Sequence, residues 1–388
     1  MTRYRLTALT PLLVGDGQKL APIDYMVWKD QVNVLDQRRI FQLLARGARL
    51  DSYLAQIRRA EKLDFASWGG YAQNYASRRI PFEHPAAAQY YARTSAENLF
   101  IPTFAATPTG QLYVPGSAIK GALRTAMLAE RASEGQWRQL AEQLNAAERP
   151  PRRPAESVEA AALGGRQSSR LRPLLVGDSG PVAPGGATRV FLLRTSTLLP
   201  RGSKLELGWK MSPRGAVESR RPGDSTPVFA EMAVPGTTFE GTFGDSFALS
   251  RPETVRALRW REGSTAQAAL AAANAQAERM LAAQRQYAEL ATLPLVAQAL
   301  DQLAERLAEL KASGRGALIC LGWGTGLLSK SASVDPKAEP FHQILRALPI
   351  YAQPLRSGLP FPKTRRVVFL ADQPATLPGW AELAVEPA

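Results

Sequence analysis

Three short stretches hold residues whose types and spacing suit the binding of a polyanion. The first is VPGSAIKGALRTAM, residues 114–127. Pro115 and Gly116 turn the chain and Ser117 stands where an N-cap would. Lys120 and Arg124 follow one helical turn apart, on a face separate from Ile119, Leu123 and Met127. The N–H groups and dipole of a helix start attract anions, and Gly121 inside a helix costs stability unless something must approach closely. Two readings stand for this stretch: a capped amphipathic helix with a solvated basic face, or a helix start that holds a phosphate backbone.

The second stretch is GRGALICLGWGTGLLSKS, residues 314–331. Gly322, Gly324 and Gly326 alternate around Trp323 and Thr325, and Lys330 follows. Alternate glycines let backbone N–H groups close on a phosphate, and Trp323 offers a face for a base. The dinucleotide fingerprint is not met, because the third glycine and the ribose-binding acid are missing, and the P-loop lacks its Gly-Lys-Ser/Thr end. The competing reading is a glycine hairpin with a buried Trp. The third stretch, GLPFPKTRRVVFL at 358–370, sends Lys363, Arg365 and Arg366 into an apolar strand. No acid lies between Glu339 and Asp372 to balance them; a solvated charge run is the plain alternative.

Catalytic chemistry is poorly supplied. His84 and His342 are the only histidines and read as loop or core residues; no paired His ligands and no nucleophile motif occur. Asp24, after the first glycine turn, reads as a turn or strand-start carboxylate. No cofactor and no metal site are expected. The single Cys320 excludes disulfides and Cys-based zinc and fits a reducing cytosol. The N-terminus is too short and polar for a secretory signal, and no apolar run reaches membrane length, so a cytoplasmic location is expected.

The charge is unevenly placed. The 388 residues carry 48 Lys and Arg against 34 acids, a net +14. Residues 148–224 hold 14 basic and 7 acidic side chains and residues 310–371 hold 9 and 2, so these segments carry the whole excess. Localised positive charge marks a binding track better than diffuse charge.

The elements that must position these stretches follow from periodicity. YRLTALTPLLVGDG reads as a strand entering a glycine turn at Gly15 and Gly17, and DYMVWKDQVNVLD as a hairpin around Lys29-Asp30. Residues 36–63 are helical, with Ile40, Leu43, Leu44, Leu54 and Ile57 as the buried face. Residues 64–110 are aromatic-rich and weakly patterned. A strand, a Pro-Gly turn and a helix to about Ala146 follow. Residues 147–187, with six prolines and six glycines, read as a linker or insertion. Strands are expected at 188–199, 204–211, 227–234, 237–243 and 366–371, and helices over 264–312 with Pro294 starting the second. PLLVGD occurs at 11–16 and again at 173–178. Strand, helix, strands and helix, given twice, predict an α+β chain of two ferredoxin-like (RRM-like) units: residues 1–146, and residues 188–388 with a helical insertion at 264–312 and the glycine-rich loop at 314–331.

The three stretches, in this order, resemble the RAMP superfamily of CRISPR-associated proteins. TPLLVGDG is similar to that family's first strand and glycine turn, VPGSAIKGALRTAM to its PGSSxKGAxRTA segment, and LGWGTGLLSKS to its C-terminal glycine-rich loop. With FPKTRRVVF added, the resemblance is greatest to the subunit-5 family of the type III-A effector, the Csm complex. It implies two RAMP domains in a non-catalytic subunit that caps the 3′ region of crRNA, supports crRNA maturation and serves antiviral defence. Implied partners are crRNA, target RNA nearby, other Csm subunits (above all the repeated backbone RAMP subunit) and host trimming nucleases. The implied RNA-contacting residues are Gly15, Gly17, Ser117, Lys120, Arg124, Gly322, Trp323, Gly324, Gly326 and Lys330, with Lys363, Arg365 and Arg366 a looser match. The slicing relatives place an acid in an open loop where Asp24 sits in a hairpin, so Asp24 is given no catalytic role. The alternatives are a RAMP-type ribonuclease acting on crRNA or target RNA through Asp24 or a histidine, a type III RAMP subunit binding the crRNA 5′ tag, and a protein-interaction module with a basic surface.

Overall fold

The computed structural model describes residues 2–45, 49–59, 72–165, 168–202, 204–212, 217–259, 265–333, 335, 338–356 and 360–386. The chain opens with β1 (Thr2–Ala8), the short β2 (Lys19–Leu20), the hairpin β3 (Tyr25–Trp28) and β4 (Gln31–Leu35), α1 (Gln37–Leu44), α2 (Leu50–Arg59) and β5 (Ala76–Pro81). Helix α3 (Pro85–Arg93) and β6 (Ile101–Pro102) lead to α4 (Gly116–Arg131), α5 (Glu134–Ala146), α6 (Glu156–Leu163) and β7 (Leu174–Val176). Strands β8 (Thr188–Arg201), β9 (Lys204–Lys210), β10 (Glu218–Ser219), β11 (Val228–Ala233) and β12 (Thr238–Asp245) come next. Then follow α7 (Pro252–Ala257), α8 (Ala266–Leu290), α9 (Pro294–Ser313), β13 (Gly316–Cys320), α10 (Glu339–Ala347) and α11 (Pro349–Arg356). Strands β14 (Thr364–Leu370), β15 (Gln373–Thr376) and β16 (Trp380–Val385) close the chain.

Two antiparallel sheets organise these elements. The first has the order β13-β16-β1-β12-β7; the second runs β10-β9-β8-β14-β15, with β11 also paired to β8. In β1, Tyr4, Leu6 and Ala8 alternate inward as the period-2 pattern requires. They face a core shared with α4, the N-terminal part of α8 and one face of the second sheet. The other face of the second sheet packs on α3, α8 and α9 in a second core.

The weave differs from two consecutive halves. β1 pairs with β12 at Leu6↔Phe239 and with β16 at Leu6↔Leu383, so the first sheet takes strands from both sides of the segment 147–187. That segment itself contributes α6 and β7, and β7 adds to the same sheet beside β12. The expected helix up to Ala146 is two helices, broken where Ser133 and Gln136 form a reciprocal capping box that starts α5. Of the five apolar residues expected on the buried face of 36–63, Ile40 and Leu44 are buried, Leu54 and Ile57 pack on a small satellite core, and Leu43 is 51% exposed. Residues 46–48 and 60–71 of this region, with 166 and 167 of the insertion and 264 of the helical stretch, lie outside the described residues.

The hairpin forms as expected, with Lys29 at φ 54° in the turn, and it pairs further with β5 in a three-stranded sheet. A buried ion pair ties this small sheet to the large one. Arg78 on β5 donates to both oxygens of Glu231 on β11 (2.9 and 2.8 Å), Thr188 adds a third bond, and Glu231 is fully buried.

Candidate nucleic-acid interface

Helix α4 begins two residues earlier than its sequence suggests, and its cap comes from elsewhere. Gly116 is the first helical residue and Pro115 precedes it with no side-chain cap; Ser117 lies exposed in the first turn. The Gly116 N–H donates instead to Asp178 Oδ1 at 2.8 Å. A Cβ on Gly116 would stand 2.3 Å from the Val176 carbonyl, so the close approach here is made by residues 176–178 of the same chain. Lys120 Nζ donates to the Leu174 carbonyl at 2.6 Å, and burial lowers its pKa below the ordinary lysine value. Arg124 pairs with Glu159 of α6. The second PLLVGD copy and α6 thus meet the groups that the helix start offers to an anion. Gly121 is exposed, and nothing lies within 4 Å of where its Cβ would be.

The glycine loop is held from both ends of the chain. Gly322, Gly324 and Gly326 all have left-handed φ, between 80° and 90°. A Cβ on Gly322 would stand 2.2 Å from the Leu13 carbonyl, and that carbonyl accepts the Trp323 N–H at 2.7 Å. The first PLLVGD copy is therefore wedged against the loop, its Leu12 bridged on the other side to Ala233 of β11. Gly15 and Gly17 continue from this wedge into solvent, Gly17 with φ 92° and open space around it. Inside the loop, Thr325 Oγ1 donates to the Gly322 carbonyl and Ser329 Oγ bonds Thr325 Oγ1 at 2.7 Å, which fixes the turn. Gly326 and Lys330 are left exposed. α4 lies alongside, with Ala122, Thr125 and Ala126 around Ser329.

The basic stretch divides by strand alternation. Arg366 on β14 points to the first core's side and places its guanidinium 4.3 Å from the centre of the half-exposed Trp323 ring. It makes no ion pair among the described residues, and burial lowers its pKa. Arg365 points the other way, onto Tyr287 of α8 at 4.4 Å, and donates to the carbonyls of Pro362 and Thr364. Its burial pushes the pKa down to about 10, so it belongs to the helix-sheet packing and not to the loop's surroundings. Lys363 reaches Glu218 at 3.5 Å. The structure therefore sets the first glycine turn against the glycine loop through Leu13, places Arg366 on Trp323, leaves Lys330 exposed beyond the loop, and separates Arg365 from them.

Residues missed in the sequence are Asp178, which caps α4, and Glu159, which meets Arg124. The repeated PLLVGD was the available signal for Asp178. The candidate acid–base groups are engaged locally: Asp24 Oδ2 accepts the Ala21 N–H at 2.7 Å, and His84 Nδ1 accepts the Ala86 N–H as the cap of α3. Among the described residues no cluster of three His, Cys, Asp or Glu could hold a metal, and no helix is long and apolar enough to cross a membrane.

The family model of the RAMP superfamily matches residues 5–229. The chain belongs to the RAMP superfamily. The sheets and helices described above are accordingly RAMP ferredoxin-like units carrying helical insertions. A chain in the cryo-EM structure of a Csm–crRNA–target RNA ternary complex from a type III-A CRISPR-Cas system shares this fold with a TM-score of 0.64 at 18% identity, over 100% of both chains. The crystal structure of T. onnurineus Csm5 shares it with a TM-score of 0.56 at 17% identity, over 97% of this chain and 99% of that one. No relative among curated proteins matches the sequence.

Proposed function

We propose that this RAMP protein is a non-catalytic RNA-binding subunit of a type III-A (Csm) effector complex, capping the crRNA 3′ region beside the repeated backbone subunit. The observation that carries the reading is the convergence of the first glycine turn, wedged through Leu13 against the Gly322–Gly326 loop, with Arg366 on Trp323 and Lys330 exposed just beyond the loop. Three motifs that lie far apart in the sequence meet there. Gly17 and Gly326 are exposed with left-handed φ, which leaves their backbone N–H groups accessible, and Arg366 and Lys330 make no ion pair among the described residues. Such a site holds RNA by phosphate and shape, which suits guides of any spacer sequence. The fold shared with a chain of a Csm–crRNA complex supports the same reading. The non-catalytic part is supported by Asp24 and His84, which serve local structure, Asp24 Oδ2 in a turn and His84 Nδ1 in a helix cap.

The test is crosslinking and sequencing of RNA bound to the protein co-expressed with its neighbouring genes and a CRISPR array. Crosslinks in the 3′ part of crRNA, on peptides holding Lys330, are expected. Crosslinks at the 5′ tag would move the subunit to the other end of the complex, and the absence of crRNA would overturn the reading.

A further inference from the structure

The second sheet carries a cationic seam that begins at the glycine loop. On β9, Trp209 pairs with Ser196 and faces the second core, its ring 5.5 Å from Phe369, so Lys210 next to it faces the opposite side. Arg366 pairs with Thr195 on that same opposite side. Lys210 and Arg366 therefore stand level with each other two strands apart, about 10 Å, with half-buried Thr195 between them. Beside Lys210, Glu218 on β10 is its cross-strand partner (2.7 Å) and also receives Lys363 at 3.5 Å. Glu218 is thus split between two lysines, while Arg366 makes no ion pair among the described residues.

The side chains are recessed, 15% exposed for Lys210 and 29% for Lys363. Partly withdrawn cations in excess over carboxylates favour an added anion, because the lower local dielectric strengthens their field. Burial also disfavours the charged form of Arg366, a cost that a phosphate oxygen would offset. The seam is continuous with the Trp323–Arg366 pair, so a strand leaving the loop meets it next.

Resting on the RNA-binding reading above, we propose that the RNA strand held at the glycine loop continues across this face of the second sheet, its phosphates taken by Arg366, Lys210 and Lys363, with Glu218 competing for the two lysines. A single-stranded RNA is favoured over an acidic protein segment because the seam starts at an aromatic–guanidinium platform suited to a base.

The experiment measures binding of a fluorescein-labelled, unstructured single-stranded RNA to the full chain at salt concentrations between about 50 and 200 mM. Lys210→Gln with Lys363→Gln is expected to weaken binding about tenfold and to flatten the slope of log K against log salt by about 1.4, the loss of two phosphate contacts on a single strand. Glu218→Gln, which removes only negative charge, is expected to tighten binding several-fold and guards against a lysine variant that merely misfolds. Unchanged affinity and slope in both variants, with binding still lost in Lys330→Ala, would overturn the seam and leave the glycine-loop reading intact. No binding by the unmodified chain would sink both. Unchanged RNA binding with loss of a neighbouring Csm subunit would assign the seam to an acidic protein surface instead.

Discussion

Gly322 and Gly326 share a residue type and a left-handed φ, yet their surroundings separate their roles. At Gly322 an added methyl meets the Leu13 carbonyl at 2.2 Å, a backbone atom that cannot step aside. At Gly326 it meets nothing within 4 Å. Gly326→Ala should therefore cost only the backbone strain of about 1–2 kcal/mol, whereas Gly322→Ala should cost more and also displace the first glycine turn. Chemical denaturation of the two variants tests this, and equal losses would show that the Leu13 contact is not what fixes the loop. Cys320 gives a second prediction at this scale. It is buried and its thiol pKa is raised well above the ordinary value by desolvation, so the thiolate is suppressed at neutral pH. Native protein should react with an aromatic disulfide reagent far more slowly than denatured protein; equal rates would mean that β13 opens readily. The glycines were visible in the sequence as a pattern, but which of them face backbone and which face solvent was not, because that depends on Leu13, some 300 positions away.

Helix α4 shows how an element can be read correctly and its end misread. Its apolar face at Ile119, Leu123 and Met127 is buried as the periodicity requires. Its cap is not Ser117 but Asp178, a choice that local sequence rules cannot see because the cap lies just past β7, after two more helices. Asp178→Ala should cost about 1 kcal/mol, the usual worth of a lost cap, and Ser117→Ala should be nearly silent; thermal melts of the pair separate the two assignments. The Arg124–Glu159 pair is half-exposed and contributes little to stability, about 0–1 kcal/mol. The link between β5 and β11 behaves differently. Removing Arg78 would strand the fully buried Glu231 carboxylate, so Arg78→Ala should destabilise by about 3–5 kcal/mol. Denaturant titration reads this directly, and a loss below 1 kcal/mol would mean that water reaches Glu231.

For the whole molecule the strands were legible and their pairing was not. The stretches expected at 188–199, 204–211, 227–234 and 237–243 fall within about two residues of β8, β9, β11 and β12, because each carries its own alternation. Nothing in that alternation says that β1 lies between β12 and β16, since any antiparallel neighbour with a matching apolar face would satisfy Leu6. A fragment of residues 1–146 holds β1 without either partner strand and is expected to be unfolded by circular dichroism; a cooperative melt of that fragment would mean the first unit closes on its own.

The wedge of Leu13 into the glycine loop carries a consequence for the life of the chain in the cell. The turn at residues 11–17 leaves the ribosome about 300 residues before the loop at 322–326 that completes it. Strand β16, which joins β1 to β13, comes later still. During synthesis β1 waits with both edges unpaired, a state in which neighbouring chains compete for it. A chain cut short anywhere before the loop lacks the partner that fixes the first glycine turn. The paired turn and loop therefore form only in a chain whose translation has passed the loop.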